Sequence, residues 1–248
     1  MAYSSDTMFS TFLRPIVKNG GLDCPEKKKK KNISEQTDVG MLYFDLRVAG
    51  KPESSDLFFD HGLYTTMTVK EGMTELEKWL GQHTMEVAIL AFSHFKEMSA
   101  DQHTNLNNFL KDNELIIIQT PSLKDCWESD YQVILSYDNR SVDDSVLWPQ
   151  FDNSDNVLYQ KQKGRPGQFF AAGLNLTEDA KYVLSHPCQS LQSMTLSSYS
   201  LLLNWVKQQR PGPGKSCVNI ICADFVGAFS NEFTQLVIGL NQTLLKET

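Results

Sequence analysis

Residues 43–48 read YFDLRV and residues 57–64 read LFFDHGLY. Both runs are rich in aromatic and branched apolar side chains, the composition of a buried strand. Both also carry charge where a buried strand avoids it: Asp45 and Arg47 in the first, Asp60 and His61 in the second. An ionised group in an interior is costly unless it is paired or put to use. Asp45 and Arg47 stand two residues apart, so their side chains leave a strand on the same side. That spacing alone fits an internal ion pair closing one end of a barrel as well as it fits a reactive site.

Working outward, apolar runs alternate with helical ones. EGMTELEKWLGQH (71–83) repeats Met73, Leu76 and Leu80 on one helical face with Trp79 beside them. EVAILAF (86–92) reads as a buried strand, and SADQHTNLNNFLKD (99–112) as a helix capped by Ser99. LIIIQ (115–119), YQVILSY (131–137), GQFFAAGLNL (167–176) and CVNIICADFV (217–226) read as further strands. Thr177 is expected to cap a helix over EDAKYVLSH, and LSSYSLLLNWVKQQ is expected to be helical up to RPGPG. NEFTQLVIGLNQTLL (231–245) reads as one closing amphipathic helix. Such alternation predicts parallel strands covered by helices. With no glycine-rich nucleotide turn after the first strand, a (β/α) barrel is favoured over a doubly wound sheet.

Barrels of this kind place chemistry at the C-terminal ends of their strands. Five strand ends carry polar groups: Asp45 and Arg47, Asp60 and His61, Ser93 and His94, Asp138, and Asp224. Each desolvated group needs a partner, and an arginine beside a carboxylate can offer a fork of donors to a phosphate. The five histidines show no HExxH or HxH spacing, so no metal site is expected.

Bulk properties narrow the partners. The net charge of −7 argues against broad nucleic-acid binding. Five cysteines without a CxxC pair predict a reduced, intracellular, cytoplasmic protein. No apolar run reaches the ~18 residues of a membrane span, and no signal peptide is read. Residues 18–36, with lysines 27–31 in a row, read as a solvated low-complexity loop.

The runs YFDLRVA, LFFDHGLYT, EVAILAF, GRPGQFFAAGLNLTEDAKYVLSHP, SMTL, RPGPGKSCVNIICADFVGA and IGLNQTLL occur in that order between about Gln36 and Lys246. Together they closely resemble the small phosphatidylinositol-specific phospholipase C X-domain-containing proteins. The resemblance implies a TIM-barrel-like α/β X domain over 37–248, one domain overall, preceded by residues 1–17 as the remnant of a truncated first strand. It implies phosphodiester cleavage of a phosphoinositide at a membrane surface. The inositol 2-hydroxyl attacks phosphorus, a general base takes its proton, and a general acid protonates the diacylglycerol oxygen. His61 matches the family's acid. Arg47 matches the arginine that bacterial-type enzymes use where large eukaryotic ones bind calcium, so neither calcium nor another metal is expected. Asp45 would hold Arg47, Asp224 would orient a catalytic histidine, and Ser93, His94 and Asp138 would contact substrate.

One departure stands out. The family's Gly-Ser-His-Asp-Thr-Met motif is represented by YSSDTMF (3–9), so Asp6 matches and Ser5 takes the place of the general-base histidine. Loss of a positioned base costs on the order of 10²–10⁴-fold. Two readings follow: a weakened hydrolase, or a catalytically inactive phosphoinositide-binding protein.

Overall fold

The computed structural model describes residues 32–52, 54–60, 64–112, 116–117, 122–138, 152–154, 170–174, 184–186, 191–212, 217–227 and 231–245. They belong to two compact units. One comprises Asn32–Asp60 and Tyr64–Phe151, and the other contains Asp152–Thr248.

The first unit opens with helix α1 (Ile33–Thr37), followed by strands β1 (Tyr43–Lys51), β2 (Ser54–Asp60) and β3 (Tyr64–Thr68). Helix α2 (Val69–Leu80), β4 (Ala88–Lys96), α3 (Ala100–Asp112), β5 (Ile116–Ile117), α4 (Leu123–Glu128) and β6 (Val133–Tyr137) complete it. The strands form one sheet in the order β3-β2-β1-β4-β6-β5. The pairs β1–β4, β4–β6 and β5–β6 are parallel, as expected. The pairs β1–β2 and β2–β3 are antiparallel, which corrects the expectation of parallel strands throughout. The cause is the connection. Only residues 52–53 separate β1 from β2, far short of the dozen residues a parallel crossover needs.

β1 shows how the sheet is built. Phe44, Leu46 and Val48 are fully buried on one face, while Tyr43, Asp45 and Arg47 are half-buried on the other. Phe59 of β2 stands opposite Val48, and Phe92 of β4 opposite Leu46, so the buried face continues across three strands. Helix α2 covers it with Met73, Leu76, Trp79 and Leu80, the stripe read from the sequence, and with Val69, which lies before the start expected for that helix. Thr68 and Glu71 cap that helix reciprocally. A Cβ on Gly72 would lie 2.8 Å from Phe59 Cε2 and 3.0 Å from Ile33 Cδ1. The missing side chain therefore lets the helix settle onto both. Gly50 is equally constrained, because a Cβ there would meet the Glu97 carbonyl at 2.5 Å. Ser99 caps α3 as expected: its Oγ accepts from Gln102 N at 3.2 Å, and Gln102 Oε1 accepts from Ser99 N at 3.0 Å.

Helix α1 corrects the expectation that residues 18–36 form a loop throughout. Asn32 and Glu35 make a capping box, and Ile33, Gln36 and Thr37 are buried. Glu75 of α2 accepts from both Ser34 N and Ser34 Oγ, at 3.1 and 2.7 Å. Trp79 Nε1 donates to Asp38 at 2.8 Å. The lysine run and residues 1–17 lie outside the described residues.

In the second unit β7 (Asp152–Ser154), β8 (Phe170–Gly173) and β9 (Ile220–Cys222) form a parallel sheet in that order. β7 has no counterpart in the sequence reading, since Asp-Asn-Ser carries no apolar pattern. Ala171 and Ala172 are fully buried, and Trp205 packs against Ala172. Trp205 belongs to α6 (Tyr199–Lys207), which follows α5 (Leu191–Ser197). The closing segment is two helices rather than one, α7 (Glu232–Gly239) and α8 (Gln242–Leu245), with Phe233 and Leu240 buried but Leu244 exposed. The proposed cap Thr177 and its helix fall largely outside the described residues.

Truncating Phe59 to Ala should cost about 3–5 kcal/mol in urea unfolding, the range for a buried aromatic. Gly50→Ala should cost about 1–3 kcal/mol, because the Glu97 carbonyl is backbone and cannot swing away. Equal stability of Gly50→Ala and the wild type would show that β1 and residue 97 can separate freely.

Candidate active site

The strand register decides which polar groups meet. Arg47 lies opposite Ser93 of β4, and Asp45 opposite Ala91. Val48 lies opposite Phe59 in the antiparallel pair, which makes Arg47 and Asp60 the next step along both strands. On the far side Phe92 faces Tyr137, and Asp138 N donates to Phe92 O at 2.9 Å. Asp60, Arg47 and Ser93 therefore form one row across β2, β1 and β4, which Asp138, the residue just after β6, continues. Cross-strand neighbours share a face, and this face is opposite to Phe44, Leu46 and Val48.

The row was expected at parallel strand ends, and it forms for a different reason. β1 runs on to Lys51, so Arg47 sits within the strand rather than at its end. β2 runs the other way, which brings its last residue, Asp60, back beside Arg47. Asp60 is buried and pairs with Tyr64 of β3.

The irregularity in β4 shapes the site. Register slips by one residue between Arg47–Ser93 and Ala49–Lys96. Such a bulge re-aims side chains. His94, at φ 50°, is left-handed within it. In a regular strand residues 93 and 94 would point to opposite faces. Here Ser93 Oγ lies 2.8 Å from His94 Nδ1, so both stand on the Arg47 side. Phe95 returns to the other face, where its ring meets Tyr137 at 4.6 Å and His103 at 4.8 Å. His103 Nδ1 is 2.9 Å from the Tyr137 hydroxyl. Nothing in the local composition signals the bulge, since no glycine occupies it. Ser93 Oγ also donates to Asp45 Oδ1 at 3.2 Å. Among the described contacts, Asp45 thus bonds Ser93 rather than Arg47, its expected partner.

A cationic and aromatic rim adjoins the row. Lys51 Nζ sits 3.4 Å over the Phe58 ring and 5.1 Å from that of Tyr64, and Lys96 Nζ is 5.4 Å from the latter. The Tyr64 hydroxyl is 3.2 Å from both Gly50 O and Glu97 Oε2. Partial desolvation, then the bond to Glu97 and its charge, raise the Tyr64 phenol above its usual range.

The remaining expected site residues are placed differently. Asp224 is buried in the second unit, in the turn after β9, where Phe225 is also left-handed at φ 58°. Asp6, Ser5 and His61 lie outside the described residues. Among the described residues no three His, Cys, Asp or Glu side chains converge to hold a metal ion. None of the described helices is long and apolar enough to cross a membrane.

No family model matches the chain. Individual relatives do. PI-PLC X domain-containing protein 1 of Danio rerio is 57% identical over 228 residues, covering 85% of this chain and 74% of that protein. The Homo sapiens protein of the same name is 40% identical over 233 residues, covering 86% and 72%. Among solved structures, a phosphatidylinositol-specific phospholipase C of Staphylococcus aureus superposes with TM-score 0.60 at 14% identity, over 95% of this chain and 89% of that one. That likeness establishes the fold as a TIM-barrel-type α/β fold.

Burial holds the His103 imidazole below its ordinary value of 6.5. The unfolded chain then binds a proton that the folded chain resists. Stability is full above about pH 6.5 and falls as the pH drops through the depressed folded value. Thermal melts at pH 7.5 and 5.5 should show a loss on acidification that is smaller in His103→Gln. Equal losses would place the acid sensitivity elsewhere.

Proposed function

The chain belongs to the PI-PLC X domain-containing proteins, and from that premise we propose that it is a phosphoric diester hydrolase of the phosphatidylinositol phospholipase C type. The observation that carries this reading is the position of Arg47 in one row with Asp60, Ser93 and Asp138. A guanidinium there can spread two donors over the equatorial oxygens of a phosphodiester. Carboxylate and hydroxyl neighbours suit the polyol of an inositol ring.

The reaction has two halves. The inositol 2-hydroxyl loses its proton as its oxygen attacks phosphorus, and the bond to the diacylglycerol oxygen breaks as that oxygen is protonated. His61, one residue past Asp60, supplies the second proton in this reading. Arg47 carries the charge that a metal would otherwise neutralise, so turnover is proposed to be independent of calcium. The substrate would be a phosphoinositide in a membrane surface, approached from the cytoplasm by a peripherally bound protein.

A second reading is supported by Ser5. A hydroxyl there cannot accept a proton near neutral pH as imidazole does. A chain lacking any base would bind the headgroup through Arg47 without cleaving it.

Purified protein should release inositol phosphate from phosphatidylinositol vesicles at the same rate with EDTA or calcium. Arg47→Lys should lose about 10²–10³-fold in kcat, since an ammonium cannot replace a planar fork. His61→Ala should abolish turnover. Vesicle binding without release, in the wild type and in Ser5→His alike, would decide for the binding protein.

A further inference from the structure

The reaction above lacks an evident base, and β4 carries an imidazole, His94, so far expected only to contact substrate. We propose that His94 is the group that receives the inositol hydroxyl proton, at Nε2, and that Ser93 and Asp45 are positioning residues that fix its tautomer. The proposal rests on the phosphodiesterase reading and adds a residue to it.

The geometry leads there in three steps. First, the bulge turns His94 onto the face of Arg47, in a left-handed conformation that costs a histidine free energy and that a regular strand would avoid. Ser93, its hydrogen-bonded neighbour, is the register partner of Arg47. Adjacent strands lie ~4.8 Å apart, which keeps the imidazole within reach of a phosphate held by Arg47. Second, a serine hydroxyl owns a single proton. Ser93 Oγ donates it to Asp45 Oδ1 at 3.2 Å, and a carboxylate can only accept. With that proton given to Asp45, the 2.8 Å contact between Ser93 Oγ and His94 Nδ1 is assigned to a proton on Nδ1. Third, a neutral imidazole protonated at Nδ1 has its lone pair at Nε2. His94 is exposed, so that lone pair can meet a substrate. The chain Asp45–Ser93–His94 presents an imidazole as a base through an intervening hydroxyl.

The step balances. The hydroxyl proton passes to His94 Nε2, and the freed electron pair forms the new oxygen–phosphorus bond. The phosphorus–oxygen bond to diacylglycerol breaks, and the leaving oxygen takes a proton from the acid. The imidazolium formed at His94 keeps its Nδ1–H bond to Ser93.

Two measurements test this on the full chain. Ring ¹⁵N NMR should find His94 protonated at Nδ1 in the wild type, and Ser93→Ala should lose that preference while Ser93→Thr keeps it. With phosphatidylinositol as substrate, His94→Ala should lower kcat by about 10²–10³-fold with little change in KM. His94→Asn should do the same while retaining the wild-type melting temperature, because Asn accepts the left-handed backbone. Full turnover in His94→Asn, or an Nε2–H tautomer in the wild type, would overturn the proposal and leave the hydrolase reading standing. A wild type without turnover would overturn the hydrolase reading instead, and titration with myo-inositol 1-phosphate then decides. Shifted His94 ring signals would support its place at the phosphate site, and unmoved ones would overturn both.

Discussion

The first unit depends on one strand meeting two opposite demands. β1 must bury Phe44, Leu46 and Val48 against the helical layer while holding Asp45 and Arg47 on its other face. The two-residue period of a strand makes both possible at once, and it also makes them inseparable. A slip of one residue would drive the guanidinium into the apolar layer and expose three core side chains. The buried face therefore enforces the register that aligns Arg47 with Ser93 and Asp60. The apolar packing that stabilises the sheet also orders the polar row, so site geometry and fold stability share a cause.

Much of this could be read from the amino-acid order. The charges inside apolar runs mark the two strands that contribute Arg47 and Asp60 to the polar row, and the stripe of α2 appears as predicted. Periodicity identifies apolar faces well, because burial acts on every side chain in turn. It says nothing of strand direction. The antiparallel course of β2 follows from a connection too short for a crossover, and that requires knowing where β1 ends. Lys51 extends β1 beyond the last obvious apolar residue, so the end was missed. Helix α1 was missed because the adjoining lysines dominate the composition, while its own signal is the brief Asn32–Glu35 box.

The bulge at His94 was beyond sequence reasoning for a physical reason. Its cause is not local. Phe95 has an aromatic partner face formed by Tyr137 of β6 and His103 of α3, 42 and 8 residues further along the chain. Gly50 clears the space into which the Glu97 carbonyl moves. These distant groups draw Phe95 outward and leave His94 turned toward Ser93. A feature set by three separate elements has no signature in any one of them.

The mixed direction of the sheet also bears on how the chain reaches this state. Strands β1, β2 and β3 are sequence neighbours separated by only two and three residues, so their pairing closes small loops at little entropic cost. The parallel contact of β1 with β4 must wait until β2, β3 and α2 have been spanned. The Arg47–Asp60 side of the row is thus assembled from local contacts, and the Ser93–His94 side from distant ones. During synthesis, an emerging chain that has not yet released β4 already contains all the strands of the local half. The nascent meander offers β1 as an open edge until β4 arrives, which makes that interval the one most exposed to mispairing.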